Sequence, residues 1–163
     1  MSDKPPLRFD ICWKKVNPVV RGELLKFWTE SGLLAAEHAS KRAEEVVMVV
    51  RNDAGEIVGV STAYKSAVKQ LGNPFYFFRC AIHPRERHPG LTSTLLVKTR
   101  DYLESIHLQD GEPVCKGLMT VVENPRINEG RREAVWPASK MIYIGSTKEG
   151  NQVRLYYFKG ATI

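Results

Sequence analysis

The sequence predicts an α/β fold, more narrowly α+β, in which a mixed and mostly antiparallel sheet combines with helices in the order β-α-α-β-β-β-α-β-α-β-β. Apolar runs at residues 46–51 and 75–82 have the length and composition of buried strands. The turn residues at 52–55 join two strand-like segments, as in a hairpin. Residues 91–106 carry an apolar stripe with helical spacing, formed by Leu91, Leu95, Leu96, Thr99, Tyr102, Leu103 and Ile106.

The first half of the chain supplies a strand, two helices and three strands. Asn17 is a good helix cap and Pro18 suits a first helical turn, so a helix begins there and ends at Gly32. The turn at 72–74 leads into the fourth strand. The other elements predicted here are a first strand at 8–16, a short second helix at 35–45, and the second, third and fourth strands at 46–51, 56–68 and 75–82.

The second half begins with the long helix that follows Gly90. Residues 110–113 break the chain, and a fifth strand follows at 114–122. Because a helix connects them, the fourth and fifth strands are expected to be parallel. The remaining elements are a short helix within 126–140 that is broken near Pro137, and two strands at 141–145 and 152–159 that form a hairpin.

Composition is that of one globular domain over residues 1–163, with residues 1–6 as a flexible lead. No apolar run approaches the ~20 residues of a membrane span, and the N-terminus lacks an apolar signal region, so a cytoplasmic protein is expected. The cysteines are three in number, which favours buried thiols over a disulfide framework. No Cys or His pair has zinc-ligand spacing, and we expect no metal site.

The net charge of +6 and the pI of about 9.3 are compatible with a polyanionic ligand, an acidic acceptor, an acidic carrier protein or nucleic acid. The sequence has no block of five or more like charges, no dense Lys/Arg stripe and no recognised nucleic-acid motif. We therefore do not expect nucleic acid as a partner. The oligomeric state stays open, with a homodimer as one alternative.

The loop between the fourth strand and the long helix has a phosphate-binding layout. The first backbone N–H groups of a helix have no partner within it, and the helix dipole is positive there. Gly90 allows a ligand to approach the backbone closely, and Arg85 and Arg87 add positive charge. The alternative interpretation of both arginines is solvated surface charge.

The hexapeptide Arg87-His88-Pro89-Gly90-Leu91-Thr92 resembles the pyrophosphate-binding motif Gln/Arg-x-x-Gly-x-Gly/Ala of the GNAT superfamily of N-acyltransferases. The flanks at 83–84 and 93–96, and the hairpin segment at 53–59, also resemble that family. The order of elements matches as well, so the resemblance covers nearly the whole chain as topology but only residues 79–96 as a sequence motif. Pro89, which has no N–H, and Thr92, in place of the final Gly or Ala, depart from the motif.

The resemblance implies that the fourth and fifth strands part from each other and hold the pantetheine arm of acetyl-CoA or another acyl-CoA. It implies an acyl transfer, most simply of acetyl, by direct attack of a small-molecule or peptide amine on the thioester. An alternative is a non-catalytic acyl-CoA-binding regulator on the same fold. Carried over by position, the cofactor-binding residues are Ala81, Ile82, Arg87, His88, Gly90, Leu91, Thr92 and Asn124.

Two residues are candidates for proton transfer. Glu123, at the end of the fifth strand, is the best-placed base, with a solvated strand-end charge as the alternative. In the family, a Tyr on the helix after that strand often acts as the acid that protonates the departing thiolate. This chain has no Tyr in that region. Tyr143 is the nearest substitute and Tyr64 a more distant one; each is otherwise an ordinary strand aromatic. Arg79 either faces an acceptor's carboxylate or phosphate or lies on a wet strand face.

Overall fold

The computed structural model describes residues 5–87, 89–109 and 115–163. It contains the predicted order of helices and strands, with short 3₁₀ turns between some of them. The elements are β1 (Arg8–Ile11), α1 (Pro18–Glu30), α2 (Ala36–Arg42), β2 (Val46–Arg51), β3 (Ile57–Val68), β4 (Asn73–Ile82), α3 (Pro89–Gln109), β5 (Gly117–Val121), α4 (Pro125–Gly130), β6 (Ile142–Ser146) and β7 (Gln152–Tyr157).

The strands form one mixed sheet of seven in the order β1-β2-β3-β4-β5-β7-β6. The β1–β2, β2–β3, β5–β7 and β6–β7 pairs are antiparallel, and β4–β5 is parallel, as predicted. The parallel register joins Tyr76 to Leu118 and Phe77 to Met119. The parting of these strands beyond those pairs stays a prediction.

The chain divides into two compact units, each with its own core. The first contains the residues up to Ala63 together with Arg79–Leu95, and the second contains Tyr64–Phe78 and Leu96–Ile163. The third strand, the fourth strand and the long helix α3 therefore contribute residues to both units. That the chain is a single domain stays a prediction.

In the first unit, β2 is buried on both faces. One face packs with α1 and α2 in a cluster that includes Leu24, Trp28 and Val49. The other packs with the start of α3 in a cluster of Met48, Val50, Val58, Ile82, Leu91 and Leu95. This double burial is the reason that β2 is an unbroken apolar run with no polar alternation.

The helix α1 begins where the sequence predicts and is anchored by an ion pair. The side-chain oxygen of Asn17 accepts a hydrogen bond of 2.9 Å from the N–H of Val20, and Pro18 is the first helical residue. The guanidinium of Arg51 holds both carboxylate oxygens of Glu23, at 2.5 and 3.2 Å. Those hydrogen bonds keep the pKa of Glu23 below its usual range.

In the second unit, Phe75, Met119 and Leu155 form a buried cluster between strands. The hydroxyl of Tyr156 donates a hydrogen bond of 2.7 Å to Glu104 of α3, which ties β7 to that helix. Burial, together with this hydrogen bond, raises the pKa of Tyr156 to about 12.

The predicted helix within 126–140 is wrong in its second part. Helix α4 ends at Gly130, and Val135 forms an isolated antiparallel bridge with Ile142. The reason is tertiary: the carbonyl groups of Arg131, Glu133 and Ala134 accept hydrogen bonds from the buried guanidinium of Arg154. These hydrogen bonds, together with the one from the N–H of Tyr143 to the carbonyl oxygen of Ala134, hold the segment in a non-helical path.

Several strand boundaries also differ from the prediction. The first strand ends at Ile11 rather than at 16, since the chain turns through Lys14 at a positive φ of 57°. Ile11 is 49% exposed, and the next residue, Cys12, is buried. The fourth strand begins two residues early, at Asn73, and the last two strands are Ile142–Ser146 and Gln152–Tyr157. The fifth runs Gly117–Val121, and Val114 lies outside the described residues.

Candidate functional site

The chain leaves β4 through a tight, well-bonded turn. The N–H of His83 donates to the carbonyl oxygen of Val58 on β3 at 2.8 Å. The ring nitrogen Nδ1 of His83 accepts from the N–H of Arg85 at 3.2 Å, and its carbonyl oxygen accepts from the N–H of Glu86 at 2.8 Å. These bonds fix the direction in which the loop approaches α3.

The side chain of Arg87 is folded back on the strand end. Its Nε donates to the carbonyl oxygen of Ile82 at 3.2 Å, although the residue as a whole is exposed. Its positive charge also opposes the rise that burial imposes on the pKa of Cys80, which ends at about 11. Both observations place the guanidinium charge of Arg87 beside the end of β4, in front of α3.

The first turn of α3 presents backbone donors. The helix begins at Pro89, so the N–H groups of Gly90 and Leu91 have no partner within the helix. The side chain of Leu91 is 2% exposed and packs with Ile82, which presses the helix start onto the strand. Thr92 is half-buried in the same turn. His88 lies outside the described residues.

The last two residues of β4 point to opposite faces of the sheet. Ile82 belongs to the cluster under α3, whereas Ala81 packs against the cluster formed with α1 and α2. This alternation also assigns Arg79 to the α1 and α2 face, two residues before Ala81. The Nη2 of Arg79 donates to Oε2 of Glu45 at 2.8 Å, an ion pair that the sequence did not indicate.

The other predicted site residues belong to the second unit. Glu123 follows β5 and is exposed. The side chain of Asn124 caps α4 by accepting a hydrogen bond of 2.9 Å from the N–H of Arg126. Just before them, the carbonyl oxygen of Val122 accepts a hydrogen bond of 2.6 Å from the amide of Asn128. The backbone that carries Glu123 and Asn124 is therefore held on both sides.

Neither candidate tyrosine lies on α4. Tyr143 is on the edge strand β6, 46% exposed, with its hydroxyl 3.0 Å from Oγ of Ser146. Tyr64 is stacked on Phe77 at a ring distance of 5.4 Å. The structure thus gathers the loop residues and the strand end in the first unit, whereas Glu123, Asn124 and Tyr143 belong to the second.

Comparison with known proteins finds matches to the structure of the chain but not to its sequence. No family model matches the sequence, and no curated protein matches it. Solved structures do match over nearly the whole chain. The ribosomal-protein-S5-alanine acetyltransferase of Vibrio fischeri has a TM-score of 0.65 at 8% identity, with 96% of each chain covered. The GNAT superfamily phosphinothricin acetyltransferase of Sinorhizobium meliloti, in complex with AcCoA, has a TM-score of 0.63 at 13% identity, covering 98% of this chain and 91% of that one.

The chain has the GNAT fold. A third structure, AtaTR bound with AcCoA, agrees with this at a TM-score of 0.59 and 16% identity, with 94% of each chain covered. The predicted fold class is therefore confirmed, including the parallel pairing of the fourth and fifth strands.

Within this GNAT fold, the two departures from the pyrophosphate motif can be assessed. Pro89 occupies the first helical position, where a missing N–H costs the helix nothing but leaves a ligand one donor fewer. The N–H groups of Gly90 and Leu91 and the guanidinium of Arg87 remain for an anion. Backbone N–H groups at a helix start and a guanidinium are groups of the kind that bind a diphosphate.

Among the described residues of this GNAT fold, no group of three or more His, Cys, Asp or Glu side chains could hold a metal ion. No helix in the described part of the chain is long and apolar enough to cross a membrane.

Two local roles at the site were not among the predictions from the sequence. Asn124-Pro125 is the same cap-and-proline pair as Asn17-Pro18, so the capping role of Asn124 was readable. The partner of Arg79 was not, because Glu45 lies 34 residues away in the chain.

Proposed function

We propose that the chain is an acyl-CoA-dependent N-acyltransferase, most simply an acetyltransferase, that acts on an amine acceptor. The observation that supports this best is the junction of β4 and α3. There the N–H groups of Gly90 and Leu91, unpaired within the helix, follow the turn that leaves β4, and the guanidinium of Arg87 is bonded to the end of that strand. An anion such as a diphosphate is stabilised at such a helix start.

In this proposal the loop binds the diphosphate through the backbone of Gly90 and Leu91, with His88 and Thr92 beside them, and through the guanidinium of Arg87. The backbone of Ala81 and Ile82 binds the amide groups of the pantetheine arm, because unpaired strand N–H and C=O groups need partners. Asn124 supplies a further polar contact from its side-chain amide. The ligand supplies an activated acyl group as a thioester.

The chemistry needs a base, an oxyanion donor and an acid. Glu123 takes a proton from the amine, directly or through a water molecule. A backbone N–H of β4 near Ile82 stabilises the developing oxyanion. Tyr143 gives a proton to the departing thiolate. The two AcCoA-bound structures of similar fold support acyl-CoA as the co-substrate.

The phosphate-binding assignment is tested by Gly90→Glu. A carboxylate at this position opposes the diphosphate by charge and bulk, so we expect the affinity for acetyl-CoA to fall by about 100-fold or more, a cost of about 2.7 kcal/mol. The matched control is Gly22→Glu in α1, where an added Cβ meets nothing within 4 Å. Isothermal titration calorimetry measures both. Equal affinities for the two variants would contradict the assignment.

A second candidate, an acyl-CoA-binding regulator without turnover, is favoured by the tyrosines. The helix α4 contains none, and the hydroxyl of Tyr143 already lies within hydrogen-bond distance of Ser146. The two candidates are separated by thiol release from acetyl-CoA in the presence of mixed amines. Binding without amine-dependent thiol release supports the regulator, and release that is lost in Glu123→Gln supports the enzyme.

A further inference from the structure

In the second unit, the pairing of β5 with β7 changes character just after the last residue of β5. The register of these antiparallel strands ends with Val121 opposite Val153, so Val122 and Gln152 form the next pair. The N–H of Val122 donates to the carbonyl oxygen of Gln152 at 2.9 Å. In a regular pair of this kind, the N–H of Gln152 would donate in return to the carbonyl oxygen of Val122.

The side-chain amide of Asn128, from α4, takes the place of that second bond. Its Oδ1 accepts the N–H of Gln152 at 2.8 Å, and its Nδ2 donates to the carbonyl oxygen of Val122 at 2.6 Å. A backbone N–H can only donate and a carbonyl oxygen can only accept, so these two bonds fix which way the amide points. One side-chain amide is therefore inserted between the two strands at this pair.

The inserted amide acts on the residue that follows. The carbonyl of Val122 and the N–H of Glu123 belong to one planar peptide group, so a bond to that carbonyl orients the peptide from which Glu123 leaves the strand. On the other side, the carbonyl oxygen of Asn124 accepts a hydrogen bond of 3.0 Å from the N–H of Asn128. Because Glu123 is exposed, its direction is set by these held peptide groups and not by packing of its side chain.

Resting on the proposed function, in which Glu123 takes a proton from the amine, we infer that Asn128 is a positioning residue for that step. Its amide orients the peptide group between Val122 and Glu123 and so holds the carboxylate within reach of the acceptor. A general base works only within hydrogen-bond reach of the proton that it takes, and a displacement of about 1 Å can cost roughly 100-fold in rate. Asn128 touches no reacting atom and acts through Glu123.

The test measures thiol release from acetyl-CoA with the primary amine that wild type uses fastest in a mixed panel, and acetyl-CoA affinity by isothermal titration calorimetry. Asn128→Ala removes both bonds of the inserted amide. We expect kcat to fall by about 10-fold or more and the affinity to change by less than about 2-fold. The affinity is retained because the capping bond of Asn124 and the backbone bond to its carbonyl remain.

Two further variants separate the bonds of this amide. Asn128→Asp keeps an acceptor for the N–H of Gln152 but loses the donor to Val122, so its kcat should fall as in the alanine variant. Asn151→Ala is the matched control: Oδ1 of Asn151 accepts a hydrogen bond of 3.1 Å from the same Nδ2, so this variant removes a partner of Asn128 and leaves the bond to Val122. We expect its kcat to equal that of wild type.

A double-mutant cycle distinguishes positioning from a structural role. In the Glu123→Gln background the carboxylate is gone, so Asn128→Ala should not lower the residual kcat any further. A residue that only maintains the fold would lower kcat by the same factor in both backgrounds. Circular dichroism confirms that each variant is folded, and Asn128→Asp replaces the alanine variant in the cycle if the latter is unfolded.

The inference is overturned if the Asn128 variants keep the kcat of wild type, if the two backgrounds show equal losses, or if Asn151→Ala loses as much as Asn128→Ala. The proposed function fails by a different result, the absence of amine-dependent thiol release from wild type, and the inference then fails with it. Release by wild type that does not depend on Asn128 overturns the inference alone.

Discussion

Arg154 shows what one buried charge does to the chain around it. Its side chain is buried, and burial lowers its pKa. Each of the three guanidinium nitrogen atoms nevertheless donates a hydrogen bond to an oxygen. Nε donates to Oε1 of Gln152 at 2.9 Å, Nη1 to the carbonyl of Glu133 at 2.6 Å, and Nη2 to the carbonyl of Arg131 at 3.2 Å. The ring of Trp136 lies 4.5 Å from the guanidinium carbon. The segment after α4 therefore owes its path to this residue.

We predict that Arg154→Met destabilises the protein by about 2–4 kcal/mol, because a fully enclosed guanidinium loses its hydrogen bonds to Gln152 and to the carbonyl groups of the segment after α4. Arg132→Met is the control: this arginine is exposed in the same segment, and its hydrogen bond to the carbonyl of Asn128 is 3.4 Å long. We expect the control to change stability by less than about 0.5 kcal/mol. Urea unfolding followed by fluorescence measures both, and similar midpoints for the two variants would refute the organising role of Arg154.

At the scale of one element, α1 tests whether the cap matters. The hydrogen bond from the N–H of Val20 to Asn17 satisfies one of the donors that a helix leaves open at its start. Asn17→Ala should therefore cost about 1 kcal/mol of stability, and Asn17→Ser, which keeps a capping oxygen, only a few tenths. Thermal unfolding of both variants checks this, and an alanine variant as stable as the serine variant would show that packing alone sets the helix start.

The elements that sequence reasoning placed well are those with local causes. The start of α1 follows from Asn17 and Pro18, and the bounds of β2 follow from a run of apolar residues that must be buried on both faces. The failure at 131–140 has a distant cause. Ala134, Val135 and Trp136 have helix-compatible composition, but Arg154, about twenty residues later, draws the carbonyl groups of this segment to itself.

The candidate site also has some features with local causes and others that depend on residues distant in the sequence. The strand, loop and helix around Gly90 are contiguous in the chain, so the phosphate-binding layout was predictable from local pattern. The Arg79–Glu45 pair joins β4 to the end of α2 across 34 residues, and no local pattern announces it. Arg79 stood out as a charge in an apolar strand, but only the fold shows which face it takes and which carboxylate it meets.

At the scale of the whole molecule, the cysteines report on the two units separately. Cys80 belongs to the first unit and Cys115 to the second, and both are without a disulfide. Burial raises the pKa of each thiol to about 11, against the opposing charges of Arg87 and Lys65 respectively. At pH 8 an ordinary thiol with a pKa of about 8.5 is roughly a quarter thiolate, whereas these are about a thousandth.

We predict that both thiols react slowly in the folded protein, because the thiolate is the reactive form. Each thiol should become reactive when its own unit unfolds. The test uses Cys12→Ser combined with Cys80→Ser or with Cys115→Ser, so that one thiol remains in each variant. Iodoacetamide labelling at pH 8 should be slower than in urea-unfolded protein by about 100-fold or more. Equal labelling rates across a urea series would mean that the units open together, and earlier labelling of one thiol would mean that its unit opens alone. Labelling of the folded protein at the unfolded rate would contradict the burial of these thiols.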